Sequence, residues 1–203
     1  MTVVALVLAA GASSRFGSNK LLASLDGRPV LQHVLDAVAA GGLTDAVVVL
    51  GAEAAAVERG IAWRGERRVV NDRPEDGLSS SLRVGLDAAV EMRDADAVLV
   101  VLGDQPRLRP DVIGAVLTLA GSPSAAHAQF VRPRYADDPA PNPVLVRRAA
   151  WALAAGLDGD RGLGPLLANR PELVVEVPVA GANPDIDTPA DLAAVSPASP
   201  EDI

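Results

Sequence analysis

The strongest constraint on this chain lies at its start, where residues 3–22 read VVALVLAAGASSRFGSNKLL. An apolar run rich in Val and Leu and bounded by Gly predicts a strand buried on both faces of a parallel sheet. The side chains then shrink abruptly: Ala9, Ala10, Gly11, Ala12, Ser13 and Ser14 follow Leu8 without one large group among them. Such a loop lets a ligand approach the backbone, and exposed N–H groups suit phosphate oxygens. Arg15 and Lys20 add two cations at its far end. The pattern points to a nucleoside triphosphate cradle, but two familiar cradles do not fit. The P-loop needs Gly-x-x-x-x-Gly-Lys-Ser/Thr, whereas Gly17 stands six positions after Gly11 and Ser18 takes the place of the lysine. The dinucleotide fingerprint needs Gly-x-Gly-x-x-Gly, and Ala9 and Ser13 break it. An ordinary strand-to-helix loop with surface Arg and Lys answers the same pattern, so this stretch alone leaves both readings open.

The rest of the chain supplies the frame. A turn at residues 25–29 precedes apolar residues at helical spacing over 30–40, stopped by Gly41-Gly42. Residues 45–51 and 67–70 predict further strands around a short helix at 53–59. This β-loop-α-β-α-β order implies parallel strands joined by right-handed crossovers. After an irregular stretch at 71–77, Ser79, Ser80 and Ser81 open a helix. One serine reads as a cap; three in a row also suit a ligand facing the helix start. The most apolar strand, 97–102, ends in Gly103-Asp104-Gln105-Pro106, and a carboxylate just past the end of a central strand sits where α/β sheets bind ligands. The competing reading is a turn Asp bonded to its own backbone. A helix at 109–120, a strand at 129–134, a Pro-rich loop at 137–143, a short strand at 144–146, a helix at 147–155, a charged loop at 157–162, a short helix at 165–169 and a strand at 173–179 follow. Asp185-Ile186-Asp187 then leads into Thr188 and Pro189, read as the N-cap and first turn of a final helix to Val195. The expectation is a single domain over 1–195 and a frayed tail over 196–203.

Composition removes whole classes of chemistry. The 203 residues include no cysteine and only two histidines, so disulfides, thiolate metal sites, Cys nucleophiles and His-based zinc sites are excluded. His33 and His127 read as incidental, and Trp63 and Trp151 as packing residues. A net charge of −8 argues against a nucleic-acid surface. No apolar run approaches a membrane span, and the apolar start lacks the basic flank of a signal peptide; the chain is expected in the cytoplasm. What is left is carboxylates, Lys, Arg, backbone amides and a hard, oxygen-bound metal.

Four segments together resemble the molybdenum cofactor nucleotidyltransferases, the cytidylyltransferase branch above all. They are Leu8-Ala9-Ala10-Gly11-Ala12-Ser13-Ser14-Arg15-Phe16-Gly17-Ser18-Asn19-Lys20-Leu21, Gly77-Leu78-Ser79-Ser80-Ser81-Leu82, Leu102-Gly103-Asp104-Gln105-Pro106 and Asp185-Ile186-Asp187-Thr188-Pro189. The first is similar to the signature of many sugar and alcohol nucleotidyltransferases; the other three narrow the match. The resemblance spans residues 3–193. It implies a Rossmann-like three-layer α/β/α sandwich with a mostly parallel sheet, of the nucleotidyltransferase (GT-A-like) type. It also implies attack of an acceptor phosphate on the α-phosphorus of a nucleoside triphosphate, CTP by the Ala9-Ala10 pair, with release of pyrophosphate. By the same resemblance Leu8 through Ser14 and Ser79, Ser80 and Ser81 bind the nucleotide. Arg15, Lys20 and Asp104 are catalytic. Asp104 and Asp187 hold Mg²⁺, with Asp185 as the competitor of Asp187. A molybdenum hydroxylase is the implied recipient of the product. Phe16 stands where the family has Met. Pro141-Asn142-Pro143-Val144 and Gly159-Asp160-Arg161-Gly162-Leu163-Gly164 depart from the family on the acceptor side. The alternatives are transfer to a sugar or alcohol phosphate, and a non-catalytic nucleotide-binding maturation factor.

Overall fold

Strand β1 (Val3–Ala9) is the axis of the molecule. The computed structural model describes residues 1–92, 95–139, 141–160 and 162–196. Alternate side chains of a strand point to opposite faces, and β1 has an apolar residue for each. Ala5, Val7 and Ala9 pack into one core layer, and Val4, Leu6 and Leu8 into the other. Both layers are closed by helices, which is why this strand shows no polar alternation.

In chain order, a hairpin of β2 (Ser24–Leu25) and β3 (Arg28–Pro29) leads into α1 (Val30–Ala40), β4 (Ala46–Leu50), α2 (Ala54–Gly60) and β5 (Arg67–Val70). Next come α3 (Leu78–Val90), β6 (Ala97–Leu102), α4 (Pro110–Gly121), β7 (Phe130–Tyr135) and β8 (Val144–Arg147). The chain continues through α5 (Trp151–Ala155), α6 (Gly164–Asn169), β9 (Val174–Val179) and α7 (Pro189–Val195). The hairpin turns on Asp26 and Gly27, both at positive φ (52° and 78°), the geometry of a two-residue type I′ turn.

The seven-stranded sheet has the order β5-β4-β1-β6-β8-β7-β9. β4 and β6 flank β1 in parallel register, with Val7 opposite Val48 on one side and Val101 on the other. The chain winds outward from β1 through β4 to β5, then returns to place β6 on the far side of β1. That reversal is the switch point at which open α/β sheets bind ligands, beyond the carboxyl ends of the strands. One helical layer presents Leu31, Val34 and Leu35 of α1, Val57 of α2 and Ile113 and Val116 of α4. The other presents Leu82 and Leu86 of α3, Trp151 of α5 and Leu167 of α6. The expected three-layer sandwich with a mostly parallel sheet is thus the observed fold.

Two departures matter. β8 runs antiparallel to both β6 and β7, because the segment between β7 and β8 is too short for a helical crossover and can only turn back. β9 pairs with β7 at the edge of the sheet, so Asp187, which follows it, reaches Asp104 beside β6 only if the chain turns back. The predicted helix at 147–155 is divided: β8 extends to Arg147 and a 3₁₀ turn, Arg148–Ala150, precedes α5. Trp63 and Trp151 are packing residues whose indole N–H groups donate to the carbonyls of Glu58 and Val146. The Nε2 of His33 bonds the Leu25 carbonyl. Among the described residues no helix is long and apolar enough to cross a membrane. Residues 197–203 of the expected tail lie outside the described residues, as do Ala140 and Arg161 of the two acceptor-side loops.

Candidate active site

The small-residue loop after β1 is folded rather than slack. The N–H groups of Phe16 and Gly17 donate to the Ser13 carbonyl, and Gly17 takes a φ of 80°. Ser13 Oγ accepts from the backbone N–H of Lys20 at 3.0 Å, which ties the beginning of the loop to its end. Asn19 Oδ1 caps the short 3₁₀ helix Lys20–Leu22, while its Nδ2 donates to Glu53 Oε2 at 2.7 Å. These bonds hold the loop open around a cavity of about 400 Å³, walled by Ala9 through Ser14 and Gly17 through Asn19 on one side and by Gly51, Ala52, Glu53, Val57 and Pro74 on the other. The wall is small because it must be: a Cβ on Gly51 would stand 2.5 Å from the Ala10 carbonyl oxygen. Leu8 is not part of it. The strand alternation turns Leu8 to the opposite face, where it lines a second cavity of about 220 Å³.

At the rim of the first cavity, charges from three parts of the chain meet. Lys20 Nζ donates to Asp104 Oδ2 at 2.6 Å and to Asp187 Oδ1 at 2.9 Å. Arg15 donates to the other oxygen of Asp187 at 2.9 Å. The Lys20 side chain is 9% exposed. Burial alone would lower its pKa, but the charges and hydrogen bonds of Asp104 and Asp187 outweigh that and raise it above the ordinary lysine value. The ammonium is therefore charged across the physiological range.

Asp187 reaches this cluster although β9 lies at the far edge. After β9 the chain runs back past the carboxyl end of β7 and the amino end of antiparallel β8 to the carboxyl end of β6, and four hydrogen bonds fix its course. The N–H of Ile186 donates to the Asp104 carbonyl at 2.9 Å. Asn183 Nδ2 donates to Gln105 Oε1, and Gln105 Nε2 donates to the Asn183 carbonyl and to Asp185 Oδ1 at 2.6 Å. Ile186 itself is fully buried with Leu25 and Val30, a small core covered in part by Phe16, Leu192 and Val195. Phe16 thus serves packing under the loop. Because Ile186 points inward, Asp185 and Asp187 diverge: Asp187 meets Lys20 and Arg15, and Asp185 meets Gln105. Burial of the Asp185 carboxyl, with the Asp104 charge adding to it, pushes its pKa up, against the Gln105 hydrogen bond. Capping of α7 does not employ the Asp187 side chain. Thr188 and Asp191 form a reciprocal capping box there, and Asp187 only lends its backbone N–H to Asp191.

For Ser79, Ser80 and Ser81 the capping reading needs a correction. None caps α3, whose N-cap is Gly77, and none lines the cavity. All three are buried, and Asn71 Nδ2 donates to the hydroxyls of Ser80 and Ser81 while Ser80 Oγ donates to the carbonyls of Gly77 and Arg73. Consecutive residues spread around a helix, so the burial of all three means that this end of α3 is enclosed, and Ser80 and Ser81 seal it against the preceding loop. Gln105, Asn183 and Asn71, all nearly inaccessible, went unread in the sequence; a lone amide carries no pattern that separates a buried clamp from a turn residue.

A hard cation fits the donor set. Two carboxylates from distant segments already share one cationic centre, and Mg²⁺ or Mn²⁺ commonly takes one or two carboxylates with the rest of its shell from phosphate and water. No group of three or more His, Cys, Asp or Glu side chains that could hold a metal alone exists among the described residues.

Comparison with known proteins gives this geometry its context. Residues 5–174 match the family described as the MobA-like NTP transferase domain. The chain is 32% identical over 193 residues to the nicotine blue oxidoreductase of Paenarthrobacter nicotinovorans, covering 92% of each. It is 32% identical over 120 residues to a probable molybdenum cofactor guanylyltransferase of Pyrococcus horikoshii, covering 58% of this chain and 56% of that one. Among solved structures, Rv0371C of Mycobacterium tuberculosis H37Rv in complex with manganese superposes with a TM-score of 0.80 at 29% identity, covering 96% of this chain and 98% of that one.

Proposed function

The chain belongs to the MobA-like NTP transferase family, and from that premise we propose that it transfers CMP from CTP to the phosphate of a molybdopterin-type acceptor, releasing pyrophosphate. The observation that carries the reading is continuity. The loop that walls the cavity ends in Lys20, and the Lys20 ammonium joins the carboxylates of Asp104 and Asp187. A triphosphate with its base in the cavity would have its phosphates at this rim.

Chemically, an oxygen of the acceptor phosphate attacks the α-phosphorus. The bond from that phosphorus to the oxygen bridging toward the β-phosphorus breaks, and its electron pair leaves with pyrophosphate. An acceptor phosphate is already ionised, so no proton has to be removed first. The protein's part is positioning and charge neutralisation. Backbone N–H groups of the Ala9–Ser14 loop hold the nucleotide. Lys20 and Arg15 would offset charge on the phosphates. Asp104 and Asp187 would hold Mg²⁺, which when bound supplies further neutralisation of the triphosphate.

The second cavity suits the body of the acceptor. Pro141, Asn142 and Gly162 through Gly164, the two segments that diverge from the family, meet there with Leu8, Leu78, Leu82, Val100 and Leu102. Release of pyrophosphate, measured for each common triphosphate with molybdopterin-type and sugar-phosphate acceptors, tests the reading. CTP with the molybdopterin-type acceptor is expected to lead. Equal or faster turnover of GTP under matched conditions refutes the base assignment, and preference for a sugar phosphate refutes the acceptor. Asp104→Ala and Asp187→Ala should each abolish turnover, with Asp185→Ala milder. A molybdenum hydroxylase is the proposed recipient of the product, and co-purification with one checks that.

A redox reading has one specific support, the full-length relative named as an oxidoreductase. Oxidation of a reduced nicotinamide dinucleotide without pyrophosphate release would decide for it.

A further inference from the structure

The place between Asp104 and Asp187 is already held by a cation that belongs to the chain. Lys20 Nζ bonds one oxygen of each carboxylate, and Arg15 bonds the remaining oxygen of Asp187. Two negative groups thus face two positive ones. We propose that Lys20 is a resident placeholder that keeps the Asp104–Asp187 site closed to divalent cations until a triphosphate draws its ammonium away, so that metal and nucleotide enter together. This deepens the metal-dependent nucleotidyl-transfer reading and rests on it.

Three features support it. First, a divalent cation would need the same carboxylate oxygens, and an ammonium within hydrogen-bond distance of both would repel it. Second, the ammonium is withdrawn from solvent, with 9% of the side chain exposed. Leaving its partners without a replacement anion is costly; this is why the lysine stays with its two carboxylates until a phosphate arrives. Third, a replacement anion has a place within reach. The Lys20 backbone is bonded to Ser13 Oγ, Ser13 walls the cavity, and four flexible methylenes separate the backbone from the charge. Phosphates at that rim would offer Lys20 new oxygens while exposing those of Asp104 and Asp187 to the metal. Arg15, whose side chain is 70% exposed, is free to follow.

The test is Mn²⁺ binding without nucleotide, followed by the electron paramagnetic resonance of free Mn²⁺ and by the shift in melting temperature. Lys20→Met removes the charge and keeps most of the stem. It should bind Mn²⁺ about tenfold or more tightly than the wild type, and Mn²⁺ should raise its melting temperature but not that of the wild type. Equal or weaker Mn²⁺ binding by Lys20→Met overturns the proposal, because Lys20 would then support the site instead of closing it. Should Lys20→Met fail to fold, Lys20→Gln takes its place. The wild type adds an independent outcome: Mn²⁺ binding equally tight with and without CTP refutes the placeholder. None of these readouts needs an acceptor or turnover, so a protein that never releases pyrophosphate would refute the proposed reaction while leaving the metal measurement to stand or fall by itself.

Discussion

Ile186→Ala probes the link between packing and the site. Ile186 is fully buried between Leu25 and Val30, with Phe16, Leu192 and Val195 around it. Its backbone N–H bonds the Asp104 carbonyl, and that bond survives the substitution. What is lost is the apolar anchor. Truncating a buried Ile to Ala costs about 2–5 kcal/mol, with the lower part of the range where surrounding groups can collapse into the gap. This cluster is small and partly open, so roughly 2–3 kcal/mol is expected. A domain of ordinary stability, about 5–15 kcal/mol, remains folded after that loss. Urea unfolding followed by tryptophan fluorescence should show a lower midpoint with an unchanged slope. Turnover should fall as well, because Asp187 is adjacent and its position depends on the anchored segment. Ile186→Val, which keeps most of the side chain, should cost only about 0.5–1.5 kcal/mol and retain turnover. If Ile186→Ala loses less than about 1 kcal/mol and turns over like the wild type, the returning segment is held by something other than this contact.

Gly51→Ala and Gly11→Ala should separate two kinds of glycine. A Cβ at Gly51 meets the Ala10 backbone at 2.5 Å, so that variant should lose about 1–3 kcal/mol of stability and bind nucleotide weakly. Nothing lies within 4 Å of a Cβ at Gly11, so Gly11→Ala should melt like the wild type and still lose nucleotide affinity; normal affinity would mean that no ligand approaches there. Tyr135 is the only tyrosine in the chain, which makes its titration readable by ultraviolet absorbance. Burial above all, with the charges of Asp138 and Asp111 adding and that of Arg109 opposing, pushes its phenol up to about 12. Since the unfolded phenol ionises near about 10, the folded state keeps a proton that the unfolded state gives up between those values. Stability that is present below about pH 10 should therefore be lost as pH rises toward about 12. A folded-state midpoint no higher than that measured in urea would show that the phenol is not buried.

Much of the frame was legible because it is local. The helix at 30–40, the strands at 67–70 and 97–102 and the Thr188-Pro189 helix start all appear where apolar periodicity and capping residues put them, since each depends on neighbours a few residues away. The abrupt change from large apolar to small residues after Leu8 likewise marked the loop that walls the cavity. Tertiary structure decided the rest. Whether β8 would run antiparallel and β9 end at the sheet edge depends on loop length and pairing, which periodicity does not encode. The hydroxyls of Ser80 and Ser81 looked available to a ligand and are instead turned inward to Asn71, because a helix's buried face is chosen by what packs against it. The meeting of Lys20 with carboxylates 84 and 167 residues further along required the chain to return from the edge strand across the sheet. The contacts that steer it, Gln105 with Asn183 and Ile186 in its small core, join segments whose proximity exists only once the sheet order is set.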